Sequence, residues 1–81
     1  MLDIVAYDRK TGKKYRLKNT AAELLRLSPV CPVVKSAPNS MYRECTHLYL
    51  DIWGMYYLIQ RIDTSDSSSW IIELSADIHI Q

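Results

Sequence analysis

The sequence predicts an α+β domain: a mainly antiparallel sheet of about five strands with one short helix packed on it, in the order ββαβββ. Three observations lead there. Apolar and polar residues alternate with a period of two in both halves of the chain. A capping-box tetrapeptide, Thr20-Ala21-Ala22-Glu23, stands between those halves. All three prolines fall within residues 29–38, where they interrupt regular structure. The 81 residues suit a single domain, taken as 1–81. At 48% apolar, the chain can fill one core and is not disordered throughout.

The first two strands read as a hairpin. Leu2, Ile4 and Ala6 alternate with Asp3, Val5 and Tyr7, and Tyr15 and Leu17 alternate with Lys14, Arg16 and Lys18. Residues 8–13 have the chemistry of its tip, since Asp8 can bond its own backbone and Gly12 can take a positive φ. The capping box then opens a short helix that buries Ala21, Leu24 and Leu25 and stops at Pro29. Val30 to Val34 reads as an edge strand or extended crossover, because Pro32 cannot donate to a central ladder. Ala37-Pro38-Asn39-Ser40 reads as a turn.

The C-terminal half is predicted as strands. Thr46, Leu48, Leu50 and Ile52 point one way, and His47, Tyr49, Asp51 and Trp53 the other. A turn at Trp53-Gly54 returns the chain through residues 55–63, and a serine-rich connector follows at 64–69. The alternation of Trp70, Ile72, Leu74, Ala76, Ile78 and Ile80 with the residues between them predicts a last strand running to Gln81.

Charge is distributed unevenly. Residues 1–40 hold eight basic and three acidic side chains, and residues 41–81 hold two and six. Six of the ten basic residues lie in one hairpin: Arg9, Lys10, Lys13, Lys14, Arg16 and Lys18. Clustered like charge sets a local potential that a net charge of +1 conceals. These six side chains are the candidate contacts for phosphates or an acidic partner. Their bland counterpart is solubility, together with edge lysines that repel unwanted strands.

A second candidate surface is the outward face of the C-terminal sheet. Tyr49, Asp51, Trp53, Tyr57 and Glu73 combine large aromatics with an acidic rim, the composition of a protein-binding hot spot. The same aromatics also suit a second small core under the Pro-rich segment.

Chemistry is sparsely represented. The chain has two glycines, no glycine-rich phosphate loop and no nucleophile elbow. Cys31, Cys45, His47 and His79 match no standard zinc spacing, so neither metal nor cofactor is expected. Both thiols are expected to be reduced. The first residues lack a secretory signal and no run is long and apolar enough for a membrane helix, so a soluble, cytoplasmic protein without membrane partners is expected. The functional expectation is a small non-catalytic interaction protein. It would act as an inhibitor or regulator occupying a surface on a larger nucleic-acid-handling protein, in the manner of phage and mobile-element accessory proteins. The alternatives are direct nucleic-acid binding through residues 9–18, and a metal-independent ribonuclease-type toxin using His47 and His79.

Overall fold

In the computed structural model, which describes residues 2–18 and 20–80, the N-terminal alternation closes as a hairpin. Met1, Asn19 and Gln81 lie outside the described residues, and with Gln81 the end of the predicted last strand. Strands β1 (Ile4–Asp8) and β2 (Lys13–Leu17) pair antiparallel from Ile4↔Leu17 to Asp8↔Lys13. At the tip, Asp8 accepts the Lys10 N–H through Oδ1 and the Thr11 hydroxyl through Oδ2, and Gly12 takes a φ of 75°. A side chain at that φ is strained, which is why glycine closes the turn.

The predicted helix after Thr20 does not form. That stretch becomes β3 (Glu23–Arg26), paired antiparallel with β4 (Val33–Ser36). Ala21 sits at a φ of 47°, in the left-handed region, which breaks a right-handed helix at its first turn. Thr20 is buried, and its carbonyl accepts the Ala37 N–H at 2.7 Å and the Ser36 hydroxyl at 3.3 Å. A helix ending at Pro29 would have had about two turns, too few to stand without packing, whereas the ladder supplies partners at once. Leu24 packs against the core, while Leu25 and Leu27 are 51% and 75% exposed.

Strand β4 corrects a second expectation. It begins one residue after the buried Pro32 and lies between β3 and β7 rather than at an edge. The missing proline N–H costs nothing there, and the Pro32 carbonyl accepts the Leu74 N–H at 3.0 Å. Among the described residues α-helix is confined to the single turn α1 (Met41–Glu44), entered where Asn39 Oδ1 accepts the Met41 N–H. Then follow β5 (His47–Leu50), β6 (Met55–Asp63), β7 (Trp70–Ala76) and a 3₁₀ turn, Ile78–Ile80. The last strand thus ends earlier than its alternation predicts, because Asp77 turns the chain by accepting the His79 N–H at 3.0 Å.

The architecture is therefore close to all-β. One mostly antiparallel sheet of seven strands, ordered β2-β1-β5-β6-β7-β4-β3, replaces five strands and a packed helix. The sheet curls. Ile4 on β1 and Val34 on β4 share one core cluster with Leu48, Leu50, Tyr57, Ile72 and Leu74, although three strands separate β1 from β4. A break in register between Ile59 and Arg61 helps β6 to bend. The segment before β1 meets the segment before β3 where the Leu2 N–H donates to the Ala22 carbonyl at 3.3 Å. Tyr42 of α1 is fully buried in the core cluster, with its hydroxyl 2.6 Å from Ser36 Oγ.

Candidate functional site

The pleat of the sheet sends alternate side chains to opposite faces, and the face away from the core carries an aromatic row. Val5 lies opposite Tyr49, Tyr7 opposite His47, and Tyr49 opposite Tyr56. The Tyr7 and Tyr56 rings are 5.3 Å apart and those of Tyr49 and Tyr56 5.0 Å, each pair tilted by 57°. These are the spacings of interlocking aromatic pairs. Lys14, opposite Tyr7 on β2, brings its ammonium to 5.6 Å from the centre of the Tyr56 ring. A hydrogen bond with Tyr56 and the neighbouring Tyr7 and Tyr49 hydroxyls raise the Lys14 pKa above its ordinary value. Ile80 from the 3₁₀ turn joins Tyr7, Lys14 and Tyr56 around a shallow depression.

The five residues proposed as a protein-binding set are divided by the fold. Tyr49 belongs to the outer aromatic row. Trp53 packs on the other side, edge-on to Tyr57 with ring centres 6.1 Å apart, and both join the core. The Tyr57 hydroxyl donates to the Pro29 carbonyl at 2.8 Å, so the Pro-rich segment reaches the core face and not the outer one. Asp51 is exposed in the turn at residues 51–54. Glu73 stands on β7 opposite Arg61, with 3.4 Å between their charged atoms. Tyr7 and Tyr56, which complete the outer row, escaped the sequence reading. Their only signal was parity with Tyr49, which needs the strand register to be known.

His47 also departs from expectation. It is 1% exposed, with Nδ1 2.6 Å from Thr46 Oγ1 and Nε2–H donating to Asp77 Oδ2 at 2.8 Å. The bond from His47 comes first, and the His79 N–H second, in holding the Asp77 carboxyl below its ordinary range. A hydroxyl, an imidazole and a carboxylate in a row resemble a catalytic relay in composition. The hydroxyl is also tied into the hairpin: Thr46 Oγ1 accepts the Arg9 N–H at 3.0 Å and lies 3.2 Å from the Tyr7 carbonyl oxygen. The chain of bonds ties the hairpin, β5 and the C-terminal turn together, and His79 is exposed on that turn, bonded to Asp77 through its backbone N–H. Cys45 is buried, and burial together with the Asp8 and Glu44 charges pushes its thiol up; Cys31 is exposed. Among the described residues no three histidine, cysteine or acidic side chains converge as a metal site.

The basic hairpin is the most strongly charged feature. Arg9, Lys10, Lys13, Lys14, Arg16 and Lys18 are all exposed. Among the described residues the ion pairs are His47–Asp77 and Arg61–Glu73, so none of the six hairpin cations is neutralised by a carboxylate within 4.0 Å. No helix among the described residues is long and apolar enough to cross a membrane. No family model, curated protein or solved structure matches the chain.

Proposed function

We propose that the chain is a small, non-catalytic interaction protein that docks on an anionic surface of a larger protein and regulates it by occupying that surface. The observation that supports this best is the hairpin of six exposed cations, none with a carboxylate partner among the described residues. Such a cluster attracts an oppositely charged surface over about a Debye length and fixes the orientation of encounter. The C-terminal half of the sequence is acidic by contrast, so the cluster stands out against the rest of the chain.

Direct nucleic-acid binding is the second reading, favoured by Lys14 and Arg16 standing on the same face as the tyrosine row. Against it, the three tyrosines pack against one another at tilted angles and do not stand as a row of parallel stacking rings. A variant with Lys10, Lys13, Lys14 and Arg16 changed to serine separates these readings from a solubility role. Affinity capture from the native host should retain a protein partner with the wild-type chain and lose it with the variant. Fluorescence anisotropy with single- and double-stranded oligonucleotides at about 150 mM salt should give only weak binding. Sub-micromolar oligonucleotide affinity would put the second reading first, and equal capture by both chains would remove the hairpin from the site.

A further inference from the structure

The backbone of β2, and not only its side chains, is available to a partner. β2 ends the sheet, so its outer side has no neighbouring strand among the described residues. Opposite residues of an antiparallel pair alternate between those that exchange hydrogen bonds and those that turn away from each other. Tyr7 turns its carbonyl toward β5, accepting the Thr46 N–H at 3.0 Å, while Asp8 turns its carbonyl toward β2, accepting the Gly12 N–H at 2.7 Å. Tyr7 and Lys14 are therefore a non-bonded pair, and by the same alternation so are Val5 and Arg16. The N–H and C=O groups of Lys14 and Arg16 point out of the sheet edge. The two residues with a free backbone are thus the two that carry cations on the aromatic face, and between them Tyr15, 37% exposed, faces the other way.

The opposite edge lacks these properties. β3 has four residues, is broken by a bulge between Leu24 and Arg26, and carries charges of both signs. Short bulged edges resist strand addition. β2 pairs with β1 over five residues without a break. Its lysines repel another basic strand, a second copy of itself included, and attract an acidic one.

Resting on the reading of an anionic protein partner, we propose that the outer edge of β2 accepts an extended segment of that partner as an eighth strand, antiparallel to β2. The segment carries carboxylates at alternate positions, opposite Lys14 and Arg16, with an apolar residue between them beside Tyr15. Main-chain bonds to Lys14 and Arg16 supply affinity, and the alternation of acidic and apolar residues supplies selectivity.

The test uses the full chain and labelled peptides of about eight residues that alternate glutamate with valine. One version is N-methylated on the glutamates, a second on the valines, and a third has its glutamates in one block. Fluorescence anisotropy should show the alternating peptide binding and the glutamate-methylated one weakened about tenfold or more, the weight of one or two hydrogen bonds. The valine-methylated peptide should bind nearly as well as the parent, and amide exchange at Lys14 and Arg16 should slow when the parent is added. Equal binding by all four peptides would overturn strand addition while leaving the anionic-partner reading intact. Failure of every acidic peptide would overturn both, and tighter binding of an oligonucleotide of equal charge would give the edge to nucleic acid.

Discussion

Asp77 ends the last strand, caps the 3₁₀ turn and accepts the bond that keeps buried His47 in place. Its carboxyl is held below the ordinary value of 3.8, so its charged form is favoured in the folded state. The stability it contributes is therefore fully present above that ordinary value and is lost as pH falls through the lower, folded one. Asp77→Asn is expected to lower the urea midpoint at neutral pH, with the gap to wild type narrowing as pH falls below about 4. A gap constant from neutral to acid pH would mean that the carboxylate is not what secures His47. From sequence alone His47 reads as an outward strand residue, weighed as a zinc ligand or a ribonuclease histidine, and Asp77 carries no assigned role. Their bond spans thirty positions, and neither residue sits in a local motif that announces it. Tyr42 was hidden for a related reason: its burial depends on a one-turn helix, Met41–Glu44, just past the turn read at residues 37–40, where no periodic pattern marks it.

Among the elements, the stretch after Thr20 separates local from global preference. Its capping box is a sound helix signal, yet a helix of about two turns gains little alone, and the sheet claims the segment instead. Ala21 is the point of conflict, since its φ of 47° costs an alanine about 1 kcal/mol relative to glycine. Ala21→Gly is expected to raise stability by about 0.5 kcal/mol, after the larger entropy of the unfolded glycine is allowed for. In a helical segment the same change would cost about 1 kcal/mol, so a denaturant melt of this variant distinguishes the two conformations. The N-terminal hairpin was legible because its tip chemistry and alternation agree over a few residues. The β5–β6 turn was legible in position, but the side on which Trp53 falls was not. The strand stops at Leu50, before the parity count reaches Trp53, and the turn carries the indole onto Tyr57. Trp53→Ala is accordingly expected to cost about 2 kcal/mol of stability, less than a fully buried tryptophan because the ring is only half-buried. An unchanged melting curve would show that the indole is not part of the packing.

At the scale of the whole molecule, the fold sorts charge and apolar surface into separate places. The curled sheet keeps one core on its inner face, the tyrosine row occupies part of the outer face, and the cations stand at one edge. The charge cluster was plain in the sequence, since it is contiguous. The sheet order was not, because β1 pairs with β5 across some forty residues and no local pattern encodes that choice. The hairpin cations make no ion pair among the described residues, so removing Lys10 or Lys13 should alter folding stability by no more than about 0.5 kcal/mol each. Binding should respond differently. Charges at the rim of an interface act mainly on association, by steering the approach of an oppositely charged surface. The Lys10→Ser, Lys13→Ser double variant removes tip charge while leaving Lys14, Arg16 and the β2 edge in place. Its association rate with an acidic partner should fall, and its rate should depend less steeply on salt than that of the wild type. Dissociation should change little, because the contacts that hold the bound strand remain. Stopped-flow measurements from low to about 150 mM salt provide the check. A salt dependence as steep as that of the wild type would show that the hairpin tip does not steer encounter, and a faster dissociation would place Lys10 and Lys13 inside the bound interface.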